Sequence, residues 1–123
     1  MSLHFSPIGL AVVRFQYSER LKSELIIASN LLNHLEGLSG EKLAGAEDIL
    51  LLFLNAIANE AEMAETVSKH TGFRNIKRFV EAAAKAIKDG NLNYANRNIA
   101  EAVSVATTCG QEAIERLIKE GIF

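Results

Sequence analysis

The sequence contains very little cysteine, proline or tryptophan: one Cys, one Pro and no Trp among 123 residues. The single cysteine, Cys109, excludes an intramolecular disulfide framework and any metal site built from several thiolates. It also fits the reducing cytoplasm, where we expect the protein to reside. Because Pro7 is the only proline, the rest of the chain lacks the residue that most strongly interrupts helices.

Long apolar runs and a strong charge bias are missing as well. The most apolar block begins at Ile49 and is interrupted by Asn55 and Asn59, well short of the roughly 20 residues that a membrane-spanning helix needs. The N-terminal stretch has no basic region before its apolar part, and Arg14 interrupts it, so we expect neither a signal peptide nor a membrane partner. The formal net charge of −2 is too small to indicate a polyanionic partner for the chain as a whole.

Apolar residues recur at steps of three and four, which is the period of one helix face. Ser6 followed by Pro7 predicts a helix start, and glycines in "GLSGE", at Gly72 and at Gly90 predict the breaks between four helices. The predicted core positions are Leu21, Leu25, Ala28, Leu32 and Leu35; Leu43, Ala46, Leu50, Leu54, Ile57, Ala61 and Ala64; Phe73, Ile76, Val80, Ala83 and Ile87; and Ala95, Ile99, Val103, Ala106, Gly110, Ala113 and Leu117. Residues 8–15 stay open, because β-branched residues and Gly9 weaken the helical pattern there.

This pattern predicts an all-α fold, an antiparallel up-down four-helix bundle with two long and one short helix, occupying residues 1–123 as one domain. No stretch alternates as a strand would. Because the third helix is shorter than the first two, parts of the long helices should extend past it and need another cover.

The block "ILLLFL" is apolar around almost the whole helix, so the second helix should be buried on more than one side. The first helix carries a second apolar stripe that matches it. We therefore predict a homodimer, or contact with another protein partner, through the first two helices. The predicted interface residues are Ile27, Leu31, His34, Leu38, Leu51 and Leu52. The alternative is that other parts of the same chain cover this surface.

The third helix carries a basic stripe, and its start resembles a phosphate site, since free backbone N–H groups there attract anions. The candidate residues are Lys69, Thr71, Gly72, Arg74, Lys77, Arg78 and Lys85. Two interpretations remain open: a solvated helix face, or a surface that binds nucleic acid or phosphate. Few aromatic residues interleave with the basic ones, which favours the solvated face over nucleic acid.

The segment "NEAEMAE" offers glutamates on one helix. It resembles the "E-x-x-E-L-A-E" stretch of the MazG-like all-α nucleotide pyrophosphohydrolases, through Glu62 and Glu65. The resemblance implies a magnesium-dependent hydrolase of nucleoside triphosphates, but the E-x-x-D expected on the next helix is absent. Glu65 precedes Lys69 by four residues, which predicts an exposed ion pair instead.

No arrangement of residues indicates catalysis. His34 lies on the second apolar stripe, and Cys109 has no histidine nearby in sequence to activate it. We expect no cofactor and no metal, and we favour a protein that is not an enzyme. The leading functional prediction is a small helical interaction or assembly module that self-associates.

Overall fold

A computed structural model describes residues 5–122. The fold is an all-α bundle of four helices: α1 (Pro7–Leu35), α2 (Gly40–Ser68), α3 (Gly72–Lys88) and α4 (Leu92–Lys119). The predicted fold class is confirmed, and residues 8–15 belong to α1. Residues 1–4, part of the stretch assessed for a signal peptide, lie outside the described range. Within residues 5–122 no helix is both long and apolar enough to cross a membrane.

The helices form a closed ring, in which α1 packs on α2, α2 on α3, α3 on α4, and α4 on α1. Contacts between neighbouring helices run in opposite directions along the chain. Arg74 pairs with Glu65 and Lys77 with Glu62 between α3 and α2, while Arg14 contacts Ser68 and Arg20 contacts Glu60 between α1 and α2. The bundle is therefore antiparallel and up-down, as short connections require. Its α4 is nearly as long as α1 and α2, so α3 is the single short helix.

Local chemistry sets most helix ends. The Ser6 hydroxyl accepts a hydrogen bond from the Gly9 N–H at 3.0 Å, with Pro7 at the first helical position. The Asn91 side chain accepts from the Tyr94 N–H at 3.1 Å and begins α4. Gly90, at φ +77°, ends α3 in the left-handed conformation that glycine adopts without steric cost.

The predicted end of the second helix is wrong. Gly72 does not stop α2; it is the first residue of α3. The left-handed residue that ends α2 is Lys69, at φ 57°. Its N–H donates to the Glu65 carbonyl, which is how such an end satisfies a free carbonyl. The Ser68 carbonyl accepts hydrogen bonds from both Nε and Nη2 of Arg14 on α1, at 3.0 and 2.9 Å.

The core occupies the centre of the ring and contains the predicted positions. Leu43, Ala46 and Val103 are partly buried at its margin, and the other predicted core residues are buried. Buried Leu side chains of α1 pack beside α4, where the small residues Ala102, Ala106 and Gly110 let the two backbones approach closely. Buried apolar area of this kind is the main favourable term in the free energy of folding.

The short α3 leaves part of α2 uncovered, as its length predicted. The last residue of α3, Lys88, lines the same groove as Leu51 and Leu52 of α2, so α3 ends level with these two residues. No side chain of residues 40–49 is buried. The first third of α2 therefore projects beyond α3.

Candidate functional site

The outer face between α1 and α2 carries the most exposed large apolar side chains of the described chain. An ion pair between Arg20 on α1 and Glu60 on α2, at 2.9 Å, shows which sides of the two helices adjoin. Ile27 and Leu31 continue the stripe of Arg20 along α1, since Ile27 follows Arg20 by seven residues and Leu31 follows Ile27 by four. This surface, which we call the α1–α2 face, comprises Ile27, Leu31 and His34 with Ile49, Leu52, Ala56 and Met63.

Solvent exposure on the α1–α2 face is high for apolar residues. Leu52 is 71% exposed and Ile49 69%, while Ile27 retains half of its accessible surface. A group of exposed, large apolar side chains on one face often marks an interaction site.

The structure places the six predicted interface residues in two groups. Ile27, Leu31, His34 and Leu52 are exposed on the α1–α2 face. Leu38 and Leu51 instead pack in part against the chain's own core. Ile49 and Met63 complete the exposed set; both were absent from the predicted interface, although their spacing from Leu52 could have revealed them.

A polar cluster of Arg20, Glu24 and Glu60 lies beside the apolar residues of this face. Burial raises the pKa of Glu24 from 4.5 to about 7, with further contributions from its hydrogen bond to the Glu60 carboxyl and from the Glu60 charge, while Arg20 opposes the rise. The hydrogen bond between two carboxyls requires a proton on one of them. Glu60 Oε1 is buried, and its contact with the Arg20 guanidinium lacks hydrogen-bond geometry.

Two basic residues of the predicted anion surface are paired with glutamates of α2. Arg74 is bound to Glu65 at 2.8 Å and Lys77 to Glu62 at 3.1 Å. Among residues 5–122, no ion pair is formed by Lys69, Arg78 or Lys85. The predicted pair between Glu65 and Lys69 is wrong, since Lys69 leaves the helix and Arg74 takes its place.

The backbone N–H groups at the start of α3 already have acceptors. Gly72 N–H donates to His70 Nδ1 at 2.9 Å, Phe73 N–H to the His70 carbonyl and Arg74 N–H to the Thr71 carbonyl. A helix start binds anions through N–H groups that lack partners. The groups that the anion prediction relied upon are therefore occupied, and anion binding stays a prediction carried by Lys69, Arg78 and Lys85.

The three glutamates of "NEAEMAE" point to different neighbours. Glu60 contacts α1, whereas Glu62 and Glu65 are bound to α3. Within the described residues, no three His, Cys, Asp or Glu side chains converge in the way that metal ligands do. The magnesium site that the MazG-like resemblance implies would have to displace both ion pairs to α3.

One juxtaposition was invisible in the sequence: His70 lies beside Cys109. A Cβ atom at Gly72 would stand 2.5 Å from Cys109 Sγ and 3.0 Å from His70 Nδ1. The histidine in turn contacts Glu112 through Nε2 at 3.1 Å. Glutamate, histidine and cysteine in this order suggest an activated nucleophile.

Two observations argue against that chemistry. The Nδ1 lone pair, which would take the thiol proton, already accepts the Gly72 N–H. Burial, together with the Glu112 charge, raises the pKa of the Cys109 thiol to about 11. The thiol is therefore protonated near neutral pH and is a poor nucleophile. Pro7 and Arg116 also line the adjoining cleft, which lies at this end of the bundle.

A second groove, of about 440 Å³, lies between α2 and α3. Its walls are mainly apolar, from Leu51, Leu52, Ala58, Val80 and Ala84, and its other lining residues include Asp48, Asn55, Glu81 and Lys88. Since Leu52 belongs to both, the groove continues the α1–α2 face around α2.

Comparisons of the chain with known proteins found no matching family model, no matching curated protein and no matching solved structure.

Proposed function

We propose that the protein is an interaction module that forms a homodimer through the α1–α2 face. The observation that carries the proposal is the exposure of Ile49 and Leu52, which are 69% and 71% exposed on a helix whose opposite side is buried from Leu50 onward. Transfer of such side chains from water to an interface contributes roughly 25 cal/mol of favourable free energy of association per Å² of apolar surface buried. Cytoplasmic location belongs to the same proposal and is supported by the buried free thiol of Cys109.

The experiment is light scattering at micromolar concentration on the purified protein and on three variants. Leu52→Glu should shift the protein from dimer to monomer, because a carboxylate at an apolar interface loses hydration without gaining a partner. Leu51 is left unchanged in this design, since it packs on the chain's own core and its replacement would disturb the fold.

Two adjacent isoleucines on α1 provide the matched comparison. Ile26 and Ile27 have similar exposure, 45% and 50%. Ile27 lies on the stripe of Arg20, toward α2, whereas Ile26 continues the line of Glu19 and Lys22, which border a cleft with α4. Ile27→Glu should weaken the dimer and Ile26→Glu should not. A wild-type monomer, or equal effects of both variants, would contradict the proposal.

A further inference from the structure

The outward side of α2 has a second helical stripe in addition to its core stripe. Its members follow one another at alternating steps of three and four residues, and all are exposed: Ile49, Leu52, Ala56, Asn59, Met63 and Thr66. None of them is charged. This spacing is the seam of a two-stranded coiled coil, in which one helix packs against another along its length. The seam extends about 25 Å at 1.5 Å per residue.

The glutamates on the two flanks of this seam are paired within their own chain. Glu60 on one flank is paired with Arg20, and Glu62 on the other is paired with Lys77. Each carboxylate thus has a cation of its own chain nearby. A second α2 would therefore meet an uncharged stripe whose flanking glutamates are compensated, whereas Asp48, beside Ile49, forms no ion pair within the described residues.

The seam is self-complementary when two copies run in opposite directions. Leu52 then faces the partner's Met63, Ala56 faces the partner's Asn59, and Ile49 faces the partner's Thr66. The two residue numbers add up to the same total in each pair. All three pairs can therefore form at once in a single antiparallel alignment. The small Ala56 and the polar Asn59 lie at the centre, and bulky apolar side chains pack on both sides of them.

The helices next to α2 also distinguish antiparallel from parallel docking of the two copies. Ile27 lies seven residues beyond Arg20 and is therefore level with Phe53, seven residues before Glu60. With α2 against α2 in antiparallel orientation, α1 faces α1 of the second copy, and Ile27 stays within the interface. In parallel orientation α1 would face α3, whose end at this level carries Lys85 and Lys88.

We infer that a second copy of this chain docks on the outward stripe of α2, antiparallel, with Ala56 and Asn59 next to the twofold axis. The inference rests on the proposed dimer and adds its register. Asn59 supplies a polar group at the centre, a device that fixes register in coiled coils.

Cysteine cross-linking tests the register directly. Leu52→Cys and Met63→Cys chains, made with tags of different length, are oxidised separately and as a mixture, and the products are separated under non-reducing conditions. In the antiparallel register, Leu52 of each copy is about 16 Å along the helix from its own counterpart, too far for a disulfide. We expect the mixed product to form readily and each self-product about tenfold more slowly.

A second pair, Ile49→Cys with Thr66→Cys, repeats the test with different side chains in case one substitution weakens the interface. Wild-type protein is the control, because its only cysteine, Cys109, is buried. Rapid self-products of Leu52→Cys and of Met63→Cys would overturn the antiparallel register and establish a parallel one. Light scattering of the same reduced variants separates the two proposals, since monomers throughout would instead contradict the dimer itself.

Discussion

Position 72 has no room for a methyl group. A Cβ there would stand 2.5 Å from Cys109 Sγ and 2.9 Å from the His70 ring. We expect Gly72→Ala to lower the free energy of unfolding by about 1–3 kcal/mol, the usual effect of overpacking. Chemical denaturation measures it.

A glycine in open space gives the matched control. Gly45 has no atom within 4 Å of its would-be Cβ and lies inside α2. Gly45→Ala should therefore raise the free energy of unfolding by up to about 1 kcal/mol, through helix propensity alone. Cys109→Ala should recover part of the loss caused by Gly72→Ala, and strict additivity of the two changes would argue against the clash.

Glu24 should make stability depend on pH. Its carboxyl has a pKa of about 7 in the folded protein and the ordinary 4.5 when unfolded. Between these values the folded state holds a proton that the unfolded state has released, so stability falls as pH rises from 4.5 to above 7. We expect Glu24→Gln to remove this loss and to stabilise the protein at pH 8 by no more than about 1 kcal/mol, since the site is partly solvated.

Urea unfolding at pH 5 and pH 8, at one protein concentration, measures the difference. Glu101→Gln, at an exposed position on α4, is the comparison. An identical change between the two pH values in wild type and Glu24→Gln would rule out Glu24 as the source.

At the scale of the helix, α2 is unevenly supported. Its first ten residues have no buried side chain, whereas residues 54–64 include Leu54, Ile57, Ala61 and Ala64 in the core. Local opening requires little free energy where few apolar contacts are lost. We expect hydrogen exchange of amides 43–48 to be at least about 100-fold less protected than that of amides 57–64.

Mass spectrometry of deuterated peptides resolves these two segments of one helix. The start of α4 serves as comparison, because it is also a helix start but has Ala95 and Ile99 in the core. Equal protection along all of α2 would show that something covers its first third.

Helix ends illustrate what the sequence could predict. Ser6, Gly90 and Asn91 act through their own backbone neighbours, so their roles follow from local chemistry. Lys69 was missed because a lysine with positive φ is uncommon and Gly72, three residues later, suits that conformation better. The close packing of Gly72 against Cys109 shows why glycine is needed at another place in the turn.

At the scale of the whole molecule, periodicity predicted the core and the four-helix bundle, since burial of one helix face repeats locally. Contacts between distant residues were not predictable in the same way. Arg14 binds the Ser68 carbonyl, and His70 lies beside Cys109, only because the helices pack in a ring. The candidate site was half predictable: Ile27 and Leu52 followed from their stripes, but the polar cluster with Glu24 required the docking of α1 on α2.

The ring also determines how the chain could be reconnected. Pro7, at the start of α1, and Arg116, in the last turn of α4, line the same cleft, while residues 36–39, which are exposed except for the half-buried Leu38, lie at the opposite end. A short linker could join the two ends, and new termini could be opened between α1 and α2. Helix order along the chain would become α2, α3, α4, α1, yet every neighbouring pair would be retained. Such a circular permutant would separate the α1–α2 face from the covalent connection that now holds its two helices together.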